Sequence, residues 1–381
     1  VHIITGLNTG GAEMSLYRVL SGRSPNVQAH VISLSSIGEV GKRIQELGVP
    51  VQALGMRSGV PNPLAIVQLV RKLRRLKPDL VHTWMYHADL VGGISARLAG
   101  VPAVTWGVHH SNLSPQQNKR TTLVVVKVCS WLSHHIPDRI FSCSDVAREI
   151  HVNIGYPAEK FTVIPNGINL AHYSPDPAAR NSVRNELNLS EETRLVGIIA
   201  RFDSQKNHEG FMQAAGLLHA QRPDVHFLLA GRGMDKDNAD LERWMKEAGV
   251  SDVSHLLGQR DDVPRLMAAL DISTSSSWGE AFPNVVVEAM ACGVPCVVTD
   301  VGDSAYIVGD TGLVVKPGDM SGLADAWEKL LQLPPRERQE LGRLARTRVA
   351  DNFEITRIVA LYEEYYKNTV RVKGMQTVMK Q

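Results

Sequence analysis

Short apolar, β-branched runs alternate along the chain with longer stretches of helical spacing. In the first half, His2–Thr5, His30–Leu34, Val51–Leu54, Leu80–Trp84, Ala103–Val108, Arg139–Cys143 and Thr162–Ile164 read as strands. Helical patterns lie between them near 12–21, 39–47, 63–77, 88–99, 119–134 and 145–153. The rhythm restarts with strands at Leu195–Ala200, His226–Ala230, His255–Leu257, Ile272–Ser275, Cys296–Thr299 and Leu313–Val315. Its helices fall near 207–220, 238–248, 262–269, 284–292, 319–332 and 335–350. Such alternation is the pattern of a parallel, doubly wound sheet, here repeated once. A turn-rich segment, Pro165-Asn166-Gly167 through Pro175-Asp176-Pro177, places a linker near 166–190. The stretch 352–367 is an amphipathic helix, and 374–381 has the character of a frayed or vector-derived tail. Because Val1-His2-Ile3-Ile4 is already a strand, the natural chain is expected to begin a few residues earlier.

A chain of 381 residues supports two domains with separate cores. The 41 basic and 39 acidic residues nearly cancel, which argues against a nucleic-acid partner. No run of 18 apolar residues suggests a spanning helix. Cys129, Cys143, Cys292 and Cys296 form no Cys-x-x-Cys pair and read as buried, reduced thiols of a cytoplasmic protein. Asp261 and Asp262 read as caps of the helix at 263 rather than as metal ligands, so no metal is assigned.

The most informative stretch is 273–300, which reads as strand, polar loop, short helix, Gly-Val-Pro turn and buried strand. Glu280 lies in the loop, and Glu288 lies one turn into the helix that Asn284 is expected to cap. Every other residue from Val285 to Cys292 is apolar. A lone carboxylate there either reaches the rim or a distant cation, or is held at the helix N-terminus to receive ligand hydroxyls. Strand Leu195–Ala200 delivers Arg201 and Lys206 to its carboxyl end just before a helix. Two such cations are either solvated or form an anion site suited to a diphosphate.

Glu280-x7-Glu288 after a Ser/Thr-rich strand end, followed by Ala291-Cys292-Gly293-Val294-Pro295, resembles the retaining glycosyltransferases of family 4. That resemblance implies the GT-B fold: two facing Rossmann-like, doubly wound parallel-sheet domains with an interdomain cleft. Residues 1–168 would bind acceptor and 169–352 the nucleotide-sugar donor, with a C-terminal helix at about 353–373 packing back on the first domain. It implies that Arg201 and Lys206 grip a diphosphate, Glu288 accepts from ribose hydroxyls, and Glu280 faces the sugar. Backbone amides of Ala281, Phe282, Asn284 and Val285 would add donors, whereas Pro283 has none. Many relatives carry Gly where Ala281 stands, which leaves the donor sugar open. Gly231, with Arg232 and Gly233, and the turn at Gly258-Gln259-Arg260 would complete the nucleotide pocket.

In the first domain Gly10 and Gly11 open a helix after the first strand, without the Gly-x-Gly-x-x-Gly spacing of a dinucleotide site. The resemblance places that loop against the donor diphosphate. It also places a histidine beside the reacting sugar, which leaves His109 and His110 as alternatives. His82, Trp84, Tyr86 and His87 either line the acceptor side or belong to the core. Arg71, Arg74 and Arg75 end a helix whose basic face is either solvated or docks on anionic headgroups.

The resulting expectation is a metal-independent retaining enzyme without cofactor. It would move a sugar from a UDP-sugar, in preference to a GDP-sugar, to a glycan or lipid-linked saccharide in bacterial polysaccharide synthesis. The expected location is the cytoplasm, with the inner face of the plasma membrane as the alternative. A nucleotide-sugar epimerase of the same fold and a non-catalytic nucleotide-sugar-binding subunit are the rival readings.

Overall fold

The computed structural model describes residues 1–56, 63–114 and 118–378. The last three residues of the tail singled out at 374–381 lie outside that range. The chain divides into two compact units: Val1–Gly167 with the helix that begins at Ile355, and Ile168–Glu354.

The first unit alternates β1 (His2–Ile4), α1 (Gly11–Ser21), β2 (Val31–Ser33), α2 (Gly38–Glu46), β3 (Val51–Ala53), α3 (Pro63–Leu76) and β4 (Leu80–Trp84). It continues through α4 (Tyr86–Ala99), β5 (Ala103–Val108), α5 (Arg120–Leu132), β6 (Arg139–Ser142), α6 (Asp145–Asn153) and β7 (Phe161–Val163). The sheet order is β3-β2-β1-β4-β5-β6-β7, with every pairing parallel. Right-handed crossovers then put α3, α4 and α5 on one face and α1 and α2 on the other. Each face has its own core. Leu69, Val91 and Trp106 fill the first, and Leu16, Ile44 and Trp84 fill the second. Ile358 and Tyr362 of the last helix, α15 (Ile355–Val378 in chain order), complete that second core.

The second unit contains α7 (Pro177–Glu186), β8 (Arg194–Ile199), α8 (His208–His219), β9 (Val225–Ala230), α9 (Ala239–Glu247), β10 (Ser254–Leu256) and α10 (Val263–Ala269). It ends with β11 (Ile272–Ser275), α11 (Asn284–Ala291), β12 (Cys296–Thr299), α12 (Ser304–Val308), β13 (Gly312–Val315), α13 (Met320–Gln332) and α14 (Pro335–Phe353). Its parallel order is β10-β9-β8-β11-β12-β13. Strands buried on both faces explain the nearly continuous apolar runs. Phe211, Phe227 and Trp327 meet as tilted and edge-on rings in the core.

Three expectations need correction. The segment expected to be linker holds α7, whose Asp176 side chain caps it by accepting from the Ala179 amide at 2.9 Å. Buried Arg184 on α7 reaches Asp271, the residue before β11, at 3.0 Å, so tertiary pairing recruits this polar segment into the unit. Pro283, not Asn284, stands at the cap position of α11, and no side-chain cap bond forms there. Asp262 does stand at the cap of α10, but its carboxylate pairs with Arg260 and Arg265 instead of the helix amides.

Candidate functional site

In the second unit the chain runs from β8 outward through β9 to β10, then returns to β11 on the other side of β8. Loops leaving β8 and β11 therefore diverge, and their strand ends form the crevice where doubly wound sheets bind ligands. The residues expected to act on a donor lie on those two loops.

After β8 the backbone carries Arg201, Phe202 and Asp203 into one 3-10 turn at Ser204–Lys206. Asp203 shapes this turn by accepting from the Gln205 amide and from Arg201 Nε, each at 3.0 Å. Those bonds hold its carboxyl below the usual carboxylate range despite the opposing effect of burial. His208 Nε2 donates to the Arg201 carbonyl at 3.0 Å, and its ring stacks on Phe202. Arg201 itself is exposed.

The β11 loop is tied to this turn at three points. Ser276 Oγ donates to the Lys206 carbonyl at 2.9 Å, and the Trp278 amide donates to the Gln205 carbonyl at 2.7 Å. Lys206 Nζ meets Glu280 Oε1 at 2.5 Å, and Ser277 Oγ donates to that same oxygen at 2.7 Å. The structure thus joins a cation and a carboxylate that are 74 residues apart in sequence. Their side chains retain only 21% and 11% of full exposure, so the pair is only weakly screened by solvent.

Two residues beyond β12 brace Glu280. The Asp303 amide donates to the Ala281 carbonyl at 3.1 Å. Gly302 has φ +55°, and a Cβ there would overlap the Glu280 carbonyl oxygen. Phe282 is buried, edge-on against Phe353 at 5.6 Å between ring centres. That anchor sets the path of the backbone from Ala281 through Pro283 to Asn284 and Val285. Glu288 lies half-buried on α11.

On the other side of β8, Gly231 has φ +140°, and any side chain would overlap the Ala200 carbonyl. The Gly231 amide donates to the Gly258 carbonyl at 2.7 Å, which aligns the loops after β9 and β10. Gln259 follows in that turn. Arg260 pairs with Glu186 at 2.8 Å and Asp262 at 2.7 Å, and both carboxylates raise its pKa. Its side chain is a clip from this turn to α7.

The first unit has an equivalent reversal between β1 and β4. Gly10 caps α1 in extended conformation and Gly11 begins the helix. Glu13 in the first turn lies over Gly10, and burial raises its pKa. At the end of β4, Met85 has φ +74° and ψ 157°, a strained conformation for a residue with a side chain. His82, Trp84 and Tyr86 are buried in the core, whereas His87 is half-buried.

After β5, the His109 ring stacks on Trp84 with 4.8 Å between centres and 13° between planes. Both its nitrogens are covered and lack a hydrogen-bond partner among the described residues, and burial lowers its pKa to about 4. His110 is half-buried beside it. No group of three or more His, Cys, Asp or Glu among the described residues is arranged to hold a metal ion.

Sequence reasoning missed Ser277, Gly302, Asp303 and Met85. Gly302 carried a signal, since Val301-Gly302-Asp303 follows a strand that flanks the Glu280 strand. The others depend on strand order and backbone path.

Comparison with known proteins agrees with this architecture. The family "Glycosyltransferase Family 4" matches residues 9–172, and "Glycosyl transferases group 1" matches residues 193–333. The UDP-Gal:alpha-D-GlcNAc-diphosphoundecaprenol alpha-1,3-galactosyltransferase of Escherichia coli is 25% identical over 319 residues, covering 80% of this chain and 79% of that protein. The 2-deoxystreptamine glucosyltransferase of Streptomyces kanamyceticus is 27% identical over 319 residues, covering 80% and 81%. Among solved structures, Anabaena HepE in complex with UDP superposes with a TM-score of 0.85 at 22% identity, covering 96% of this chain and 99% of HepE. The chain has the GT-B fold and is related to the family 4 glycosyltransferases.

Proposed function

We propose that the protein is a retaining glycosyltransferase that takes a sugar from a UDP-sugar and passes it to a hydroxyl of a glycan or lipid-linked saccharide. The observation that carries this reading is the Lys206–Glu280 pair at the reversal between β8 and β11. A diphosphate at this strand end meets Lys206 and Arg201, and a sugar attached to it reaches Glu280. Charge grows on the leaving phosphate as the bond between sugar C1 and oxygen breaks, so fixed cations lower the barrier there. The acceptor oxygen forms its bond to C1 on the face the phosphate leaves, and its proton passes to the departing phosphate oxygen. Configuration is retained without a protein nucleophile. Lys206 and Arg201 take the charge-neutralising part that a divalent metal plays elsewhere.

Glu288, Gln259 and the loop glycines are assigned to the nucleotide, and the amides of Ala281–Val285 to the sugar and phosphates. On the first unit, Gly10 and Gly11 are assigned to phosphate. His109, in preference to His110, is assigned to the sugar, because burial keeps it neutral and both its nitrogens are unspent. The UDP-linked donor of the Escherichia coli relative and the UDP bound to HepE support a UDP-sugar donor, and relatives that act in lipopolysaccharide biosynthesis support a setting in bacterial polysaccharide synthesis.

Incubation with radiolabelled UDP-glucose, UDP-galactose and UDP-N-acetylhexosamines, with extracted lipid-linked saccharides as acceptors, tests the reading. Label should move to one acceptor with the α configuration and depend on Lys206. Free epimerised sugar, or UDP binding without turnover across acceptors, would contradict it.

A further inference from the structure

On the face of the first sheet that carries Trp84, the nitrogens of two imidazoles meet beside a glycine. β4 and β5 pair in parallel with His82 opposite Thr105 and Trp84 opposite Gly107, and His109 follows just after β5. Alternation along the strands puts these side chains on one side. His82 stands edge-on to Trp84 at 4.8 Å between ring centres, and His109 stacks on the same indole. His82 Nδ1 bonds Thr105 Oγ1 at 2.8 Å, but its Nε2 is buried without a hydrogen-bond partner among the described residues. A Cβ on Gly107 would lie 3.0 Å from that Nε2, 3.4 Å from His109 Nε2 and 2.9 Å from the Thr83 carbonyl oxygen. Three polar atoms thus surround one small opening that glycine alone leaves.

We propose that His82 is a positioning residue for His109, joined to it beside Gly107 through one buried water that fixes which His109 nitrogen carries hydrogen. Buried polar atoms are seldom left unpaired, and a water needs only two to four polar partners. Counting hydrogens selects one arrangement. His82 Nδ1 is the one partner of the Thr105 hydroxyl among the described residues, so that hydroxyl spends its hydrogen by donating there. The hydrogen of His82 is then on Nε2. The water accepts from this N–H and donates to His109 Nε2 and to the Thr83 carbonyl. His109 therefore carries its own hydrogen on Nδ1 and offers that N–H, rather than a lone pair, to the sugar. Burial lowers the pKa of both rings, so each is neutral at neutral pH and has a tautomer to be set.

A core-filling role for His82 accounts for its packing but not for a buried nitrogen that phenylalanine would not bring. Gly107 has no left-handed backbone angle to explain it, so space beside the two rings is what the residue supplies. Tyr366 is the rival partner. Its ring lies 5.6 Å from that of His82, and its hydroxyl is also buried without a hydrogen-bond partner among the described residues. The three atoms nearest the opening do not include that hydroxyl. The inference rests on the assignment of His109 to the sugar made above.

Long-range proton–nitrogen NMR spectra of the full chain, isotopically labelled at histidine, read the tautomer directly, with the His109 signals assigned by their loss in His109→Ala. His109 should be the Nδ1–H form alone in the parent. In His82→Phe, which keeps an aromatic ring without its nitrogens, the signals should show a mixture. That variant should lose about five- to tenfold in kcat, with KM for the UDP-sugar within about twofold of the parent. Gly107→Ala should fill the opening and give the same mixture with His82 in place, and the double variant should lose no more than either single one. Tyr366→Phe should leave both tautomer and kcat unchanged. Thermal melting of each variant separates loss of this contact from loss of fold. A parent His109 that is mixed or in the Nε2–H form, or a parent-like tautomer in His82→Phe, would overturn the inference. Parent-like transfer by His109→Ala would instead overturn the assignment of His109 to the sugar, and with it the expected loss in kcat.

Discussion

Replacing Lys206→Ala removes the ammonium from a strong ion pair and from the proposed diphosphate site together, so its effects on stability and turnover can be read separately. The pair spans 2.5 Å, and Ser277 Oγ also donates to the same Glu280 oxygen. Hydrogen bonds to charged groups contribute about 1.5–3 kcal/mol, and low exposure places this one within that range. With Ser277 left to hold the carboxylate, the variant should lose about 2 kcal/mol. For a unit of this size that lowers the melting temperature by about 4–8 °C. The catalytic effect is larger. One preorganised group aimed at developing charge is worth about 10²–10³ in turnover. The loss should fall mainly on kcat, because charge on the leaving phosphate is greatest in the transition state.

Glu280→Gln is the companion variant. It keeps the shape of the loop and frees Lys206 from its carboxylate partner, so UDP should bind at least as tightly as to the parent while sugar transfer falls. The assays are differential scanning calorimetry, UDP titration and single-turnover kinetics on the same preparations. A Lys206→Ala variant that melts several degrees lower but transfers sugar within about tenfold of the parent would show that the pair is structural only.

Other perturbations test separate parts of the reasoning. His151 is wholly buried, donates from Nδ1 to the Ala147 carbonyl at 2.6 Å, and accepts at Nε2 from the Tyr86 hydroxyl at 2.9 Å. Burial lowers its pKa from 6.5 to about 4, so between those values the unfolded chain binds a proton that the folded chain does not. Stability contributed above pH 6.5 is then lost as pH falls, by about 2 kcal/mol at pH 5. Thermal melts should fall more steeply toward pH 5 in the parent than in His151→Gln; equal slopes would refute this assignment. Gly302→Ala should impair transfer and cost about 1–3 kcal/mol, because φ +55° and the Glu280 carbonyl both oppose a Cβ. Ordinary donor kinetics in that variant would show that Gly302 does not brace the site. Excess chelator should leave the transfer rate unchanged, whereas a rate restored only by added divalent metal would remove Lys206 and Arg201 from their proposed part.

Much of the fold is legible because the inner strands are buried on both faces, as β4, β5, β8, β11 and β12 are along most of their length. β4, β5, β11 and β12 agree end to end with their apolar runs, since burial alone decides such segments. The failures occur where a partner distant in sequence decides. α7 reads as linker because the partners that give its polar face a reason to pack, such as Asp271 for Arg184 and Arg260 for Glu186, lie 87 and 74 residues away. Pro283 takes the cap of α11 because buried Phe282 sets where the chain enters the helix, and no local spacing shows that anchor. Arg201, Lys206 and Glu280 are each legible as chemistry, but nothing local joins them. Their association depends on β11 returning beside β8, which places two loops from distant parts of the chain at one crevice. A carboxylate that is costly on its loop and a lysine that is unremarkable on its own become a site only through strand order. Changes that spare both residues but disturb that order, such as a side chain at Gly231 or Gly302, should therefore impair the site as surely as changing Lys206 itself.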